Sequence, residues 1–178
     1  EEQVTISIRQ IGDEFTDLDK VLEPLEIGHG CAAVICNTVG RAQNAYEHLR
    51  AKFGADVMLT HSRFTSKHRA EKEADLVSQL GKGVHRGDGR PERLIVVGTQ
   101  VIEQSLDLDF DVMVTDFAPV DLVLQRLGRL HRHERDDSER PKEYLSPICY
   151  VRGVEIFGSE PQVPEFPKGS CTVYEPAI

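Results

Sequence analysis

The stretch Cys31-Ala-Ala-Val-Ile-Cys36 runs directly into Asn37 and Thr38, and then into Val39, Ala42, Ala45, Tyr46, Leu49 and Phe53 at helical spacing. Consecutive apolar residues without alternation suit a strand covered on both faces, as in a parallel sheet. Asn37 and Thr38 are N-cap residue types, and Gly54 stops the helix. A buried strand passing through a short polar turn into an amphipathic helix is half of a βαβ unit.

The same alternation continues outward. Asp56-Val-Met-Leu-Thr60 reads as a strand, and residues 66–80 as a charged helix with Leu76, Val77 and Leu80 inward. Residues 81–92, with Gly81, Gly83, Gly87, Gly89 and Pro91, read as a turn-rich loop. Arg93-Leu-Ile-Val-Val-Gly-Thr99 and Asp111-Val-Met-Val-Thr-Asp116 are further strands, residues 120–130 a helix, and Ile148–Val151 a last strand. Toward the amino end, Val4, Ile6 and Ile8 alternate with polar residues, the period of a half-buried strand. Leu18, Val21, Leu22 and Leu25 mark a short helix ended by Gly28 and Gly30. The expected fold is α/β, a doubly wound, mainly parallel sheet with helices on both faces. The expected division is an acidic leading segment over 1–26, the main domain over 27–152, and a Pro/Gly-containing tail over 153–178.

Composition narrows the class. A chain of 178 residues holds about one domain, and 39% hydrophobic with 29% charged residues excludes a disordered chain. No apolar run reaches the roughly 18 residues that cross a membrane, and Glu1-Glu-Gln3 does not resemble a signal peptide. The absence of an initiator Met reads as a piece of something longer. Cys31, Cys36, Cys149 and Cys171 form no Cys-x-x-Cys pair, so buried reduced thiols in a cytoplasmic protein are expected, with no metal site. The net charge of −9 is uneven. Residues 1–26 carry eight acids against Arg9 and Lys20, whereas residues 38–90 carry ten Lys/Arg against six Asp/Glu. The acidity therefore does not argue against a nucleic-acid partner.

Two loops carry chemistry. In Gln125-Arg-Leu-Gly-Arg-Leu-His-Arg132, Arg126, Arg129 and Arg132 recur every third residue around Gly128. Guanidiniums aimed at one point suit a concentrated anion such as a triphosphate end. The plainer alternative is a solvated face paired with Glu134, Asp136, Asp137 and Glu139. In Val97-Gly-Thr-Gln-Val-Ile-Glu-Gln-Ser-Leu-Asp107, Thr99 and Gln100 offer donors to a phosphate, and Asp107 offers a carboxylate to a ribose. The plainer alternatives are turn capping for Thr99 and Ser105, and a cap or salt bridge for Asp107.

Taken in order, these stretches resemble motifs IV, IVa, V and VI of the second RecA-like domain of superfamily 2 helicases. Cys36-Asn-Thr-Val39 is similar to motif IV, His61-Ser-Arg-Phe64 with Arg69 to IVa, Thr99 to Asp107 to V, and Gln125 to Arg132 to VI. The spellings His-Ser-Arg-Phe, Glu-Gln-Ser-Leu-Asp and Gln-Arg-Leu-Gly-Arg-Leu-His-Arg-His resemble the helicase–nuclease of type I CRISPR systems more than DEAD-box proteins. Thr172-Val-Tyr174 is similar to the segment after motif VI there.

The resemblance implies roles at matching positions. Arg129 and Arg132 would meet the γ-phosphate of ATP held with Mg2+ mainly by an absent first RecA-like domain. Gln125 and Arg126, beside Gly128, would couple that cleft to the partner domain, and Asp107 would lie on its nucleotide side. Asn37, Thr38, Ser62, Arg63, Thr99 and Gln100 would grip single-stranded DNA, and Arg69 would tie motif IVa to the domain. The implied partners are single-stranded DNA, the first RecA-like and nuclease domains of the same parent chain, and an RNA-guided surveillance complex that directs degradation of invading DNA.

No Gly-x-x-x-x-Gly-Lys-[Ser/Thr] loop and no His-Asp dipeptide occurs, and Asp13-Glu-Phe-Thr16 follows no buried strand. The chain thus carries half an ATP site and is expected to be inactive alone. Rival readings are another superfamily 2 DNA or RNA helicase, or a non-enzymatic docking module using residues 1–26 and the tail.

Overall fold

The apolar run forms strand β2 (Gly30–Ile35), buried along its whole length in a six-stranded sheet. A computed structural model of the chain describes residues 5–103 and 106–153. Around β2 the chain forms β1 (Ser7–Ile11), α1 (Phe15–Ile27), α2 (Val39–Phe53), β3 (Val57–Thr60), α3 (Ser66–Leu80), β6 (Arg93–Gly98), β7 (Val112–Asp116), α4 (Val120–Leu127) and β8 (Ile148–Arg152). Two-residue strands β4 (His85–Arg86) and β5 (Gly89–Arg90) punctuate the loop read over 81–92.

The sheet order is β1-β8-β7-β2-β6-β3, with every neighbour parallel. β2 pairs with β6 from Gly30↔Arg93 to Ile35↔Gly98, and with β7 from Ala32↔Val112 to Ile35↔Thr115. Alternate residues feed opposite faces. Ala32 and Val34 pack under α1 and α2 with Ala42, Ala45, Leu49 and Leu22. Cys31, Ala33 and Ile35 pack under α3 and α4 with Leu76, Leu80, Leu127 and Phe110. This is the RecA-like arrangement, with two helices on each face.

Local signals explain most boundaries. The Thr38 hydroxyl accepts a hydrogen bond from the Arg41 N–H at 3.2 Å and caps α2. Thr65 caps α3 through the His68 N–H at 3.4 Å. Gly28 closes α1, but Gly30 opens β2 rather than belonging to that stop. Gly30 has φ of +130°, and a Cβ there would lie 2.5 Å from Pro141 Cγ. Only glycine fits that backbone and that gap.

Some expectations shift. α3 has the expected bounds, yet Val77 is 39% exposed while Leu76 and Leu80 are fully buried. The helix read over 120–130 ends at Leu127, because Gly128 turns the chain toward β7. β1 begins at Ser7, and Ile8 is exposed because this strand sits at the sheet edge. The boundary after residue 26 separates nothing: β1 pairs with β8, and Leu18, Leu22 and Leu25 of α1 are core. Residues 1–4, Gln104, Ser105 and residues 154–178, including Cys171 and Thr172-Val-Tyr174, lie outside the described residues. Cys31, Cys36 and Cys149 are buried free thiols, and burial pushes each pKa up to about 12. No helix among the described residues is long and apolar enough to cross a membrane.

Candidate nucleotide and nucleic-acid site

The carboxyl ends of three adjacent strands bring one set of candidates together. β2 leads to Asn37 and Thr38, β6 to Thr99 and Gln100, and β3 to His61, Ser62 and Arg63. The Gln100 side-chain amide donates to the Asn37 carbonyl at 3.2 Å, joining two of these loops. Ser62 and Arg63 are exposed, while His61 is buried and stacks on Phe64 at 4.2 Å between ring centres. Burial holds the His61 pKa below its ordinary value. The Thr99 hydroxyl is buried and has no hydrogen-bond partner among the described residues.

Asn37 departs from the expectation that its backbone grips a phosphate. Its N–H donates to Asp116 Oδ2 at 2.9 Å, and its side-chain amide donates to the Phe117 carbonyl at 2.7 Å. Both groups brace the turn instead of facing outward. Asp116 also accepts from the Arg41 guanidinium, whose other end holds Asp13, and Arg152 reaches Asp13 too. Burial pushes the Asp13 carboxyl up, but Arg41 and Arg152 outweigh it and leave its pKa below the ordinary value. Asp13 is thus a tie between α2 and β8. Arg69 pairs with Glu73 at 3.6 Å within α3, the local salt bridge that is the plainer reading of it among the described residues.

The arginine stretch lies elsewhere. α4 descends from the carboxyl end of β7 toward its amino end, where Phe110 bridges Leu130. The five residues of β7 separate the two edges by roughly 17 Å at about 3.3 Å per residue. Gln125 is exposed on α4. Arg126 is fully buried and donates to the Thr115 hydroxyl at 2.6 Å and the Asp116 carbonyl at 3.1 Å. It ties α4 to β7 and does not project into a cleft, correcting the role expected for it. Gly128 ends α4, its N–H donating to the Leu124 carbonyl at 3.1 Å, and its own carbonyl accepts from Arg132 at 3.1 Å.

Arg132 is exposed and paired through Nε with Asp107, and His133 Nε2 lies 3.3 Å from the same carboxylate. The hydrogen bond to Arg132 leads the influences that hold the Asp107 pKa below the ordinary value. The plainer salt-bridge reading of Asp107 therefore describes this conformation. Arg129 is half-buried, and burial, followed by the nearby charge of Arg132, lowers its pKa from the usual arginine value. Between them His131 adopts φ of +48°, and its Nε2 donates to the Asp111 carbonyl at 3.0 Å. Burial leads the influences that lower the His131 pKa from its ordinary value.

Beneath this strap is a cluster that the motif reading missed. Asp109 and Asp111 are fully buried, as are the side chains of Arg90, Arg135 and Arg140 to within 5%. Asp111 Oδ1 accepts from Arg140 at 2.6 Å, and its Oδ2 from the Cys31 N–H at 2.7 Å and Arg90 at 3.2 Å. Asp109 accepts from Arg135 and from Arg140 at 3.3 Å. Burial pushes Asp109 up, but Arg140, Arg135 and Arg90 outweigh it and hold its pKa low. The signal available was Asp107-Leu-Asp-Phe-Asp111, acids alternating with apolar residues at the entrance to a buried strand.

Among the described residues, no group of three or more His, Cys, Asp or Glu side chains could hold a metal ion. The model of the family described as CRISPR-associated nuclease/helicase Cas3, C-terminal, matches residues 28–135, more than half of the chain. The chain belongs to this Cas3 C-terminal family. It is 42% identical over 176 residues to a CRISPR-associated nuclease/helicase Cas3 of Streptococcus thermophilus, covering 98% of this chain and 17% of that protein. The crystal structure of T. fusca Cas3-ATP superposes with a TM-score of 0.87 at 38% identity, covering 99% of this chain and 21% of that one. A chain of a CRISPR RNA-guided surveillance complex, pre-nicking, gives a TM-score of 0.82 at 36% identity, covering 97% and 21%. The chain thus spans about a fifth of the length of the Cas3 proteins that it matches. Its fold and its family agree with the helicase resemblance of the four motifs.

Proposed function

We propose that this chain is the second RecA-like half of an ATP-driven single-stranded DNA motor, acting within a longer Cas3-type nuclease/helicase in antiviral defence. The observation that carries the reading is the strap of Arg129 and Arg132 at the amino end of β7, with Arg132 exposed on an acidic partner. The Asp107 carboxylate occupies the guanidinium as phosphate oxygens would, so the residues suit an anionic nucleotide end. An exposed ion pair of this kind is worth about 0–1 kcal/mol, so Arg132 exchanges partners at little cost.

In this reading the chain closes onto a first RecA-like domain that holds ATP and Mg2+. Arg132 leaves Asp107 and, with Arg129, meets the charge developing on the transferred phosphoryl group. Asp107, once released, faces the ribose side, and Gln125 on the outer surface of α4 reaches the partner domain. Thr38, Ser62, Arg63 and Gln100 hold DNA phosphates on the carboxyl edge, a sequence-independent contact, and Thr99, buried beneath them, supports that edge. Opening after hydrolysis, with alternating grips, moves the strand. The ATP named for the T. fusca structure and the surveillance complex named for the other relative support ATP and an RNA-guided complex as partners here.

The isolated chain is expected to show no ATP turnover above a buffer control in a phosphate-release assay with single-stranded DNA, while the full-length protein turns over. Turnover by the pure chain that Arg129→Ala abolishes would contradict the half-site reading.

A further inference from the structure

The strap that carries Arg129 and Arg132 is pinned at every second residue to the segment 109–111. The Phe110 N–H donates to the Arg129 carbonyl at 2.9 Å, and the His131 N–H returns to the Phe110 carbonyl at 3.0 Å. The His131 ring donates to the Asp111 carbonyl at 3.0 Å. The His133 N–H donates to Asp109 Oδ1 at 3.4 Å, and Arg140 donates to the His133 carbonyl at 2.9 Å. The strap is held at Arg129 itself and at His131 and His133 on either side of Arg132, so the buried segment sets where both arginines stand. The left-handed backbone of His131, unfavourable for a residue with a Cβ, persists between them.

The segment 109–111 is itself fixed by Arg90, Arg135 and Arg140. Arg135 joins three parts: it donates to Asp109, to the Val84 carbonyl, and lies 3.6 Å from Glu139. Buried ion clusters are a poor source of stability, because desolvation offsets the attraction. Their forked guanidinium contacts do define one geometry.

We propose that the Arg90–Arg135–Arg140 cluster around Asp109 and Asp111 positions the two nucleotide-facing arginines, with Arg135 as a positioning residue of the ATPase. This rests on the reading of Arg129 and Arg132 as the residues that meet the phosphate. Arg135 touches no substrate; it acts through Asp109 and the backbone of the strap. Its loss leaves the phosphate-facing arginines present but no longer held in register, and displacement of about 1 Å can cost on the order of 100-fold in rate.

Arg135→Met in the full-length protein tests this. Met fills similar space, and two guanidiniums then remain for two carboxylates, while Glu139 keeps His85 and the Arg86 N–H. Five quantities are compared with wild type and Arg132→Ala: DNA-stimulated kcat, nucleotide KM, melting temperature, and the affinities for ADP–aluminium fluoride and for a non-hydrolysable ATP analogue. The expected result is a kcat lowered about 10- to 100-fold, with KM and analogue affinity near wild type and weaker binding of ADP–aluminium fluoride. If Arg132→Ala abolishes turnover and R135M does not lower it, the positioning role is overturned. If Arg132→Ala retains turnover, the underlying reading of the arginines fails instead. If R135M melts early and loses every activity together, Arg135→Lys, which keeps the charge without the fork, decides. A selective loss of kcat in that variant supports positioning; uniform loss, or no loss, overturns it.

Discussion

Arg132→Ala in the full-length protein should lower single-stranded-DNA-stimulated ATP hydrolysis by about 10³-fold or more, the scale of removing an arginine that stabilises a transferring phosphoryl group. Affinity for single-stranded DNA, read by fluorescence anisotropy without nucleotide, should stay near wild type. The separation has a structural reason. Arg132 sits beside the amino end of β7, whereas Thr38, Thr99, Gln100, Ser62 and Arg63 lie at the carboxyl ends of β2, β6 and β3. Distant sites without shared partners behave independently. Stability should also hold, because Arg132 is exposed and its pair with Asp107 is a surface pair. Arg126 has the opposite character: it is fully buried on Thr115 and Asp116, so its replacement would confuse lost folding with lost catalysis. An Arg132→Ala protein that loses DNA binding together with ATPase activity would contradict the assignment.

Asp111→Asn should cost about 3–5 kcal/mol of stability, the scale seen when one partner of a buried ion pair is removed. Asp111 is wholly buried and receives Arg90, Arg140 and the Cys31 N–H. The amide keeps the shape but cancels the charge, leaving Arg90, Arg135 and Arg140 to share Asp109 in the interior. The melting temperature should fall by roughly 10 °C for a domain of this size, read by differential scanning calorimetry. Lys20→Ala is the contrasting control. It removes an exposed i,i+3 pair with Asp17, with an expected effect within about 1 kcal/mol. Equal effects from the two substitutions would show that the cluster carries no special role in the fold.

The sheet and its helices were legible because each rests on local pattern. Cys31 to Cys36 is apolar on both faces and became the buried β2, and α3 ran from Ser66 to Leu80 as its charge and apolar spacing indicated. Where the pattern was ambiguous, tertiary context decided. Val77 lay one step outside the apolar stripe, and Gly128 ended α4 early because the strap must turn to meet Phe110. The arginine repeat was visible, but its three members have three fates. Arg126 is structural, Arg129 is half-buried, and Arg132 is exposed. Spacing alone could not tell them apart, since only the fold determines which guanidinium meets Thr115 and which meets Asp107. The same holds for the buried cluster. Asp111 and Cys31 are 80 positions apart, and no local signal pairs them.

In the proposed motor, Arg129 and Arg132 close on a nucleotide held by another domain. A structure of the full-length protein with single-stranded DNA, Mg2+ and ADP–aluminium fluoride measures this directly. The predicted result places both guanidiniums within hydrogen-bond distance of the fluoride group, with Arg132 parted from Asp107 and the strap still pinned to Phe110 and Asp111. A closed complex in which Arg132 remains on Asp107 and neither arginine reaches the fluoride would contradict it.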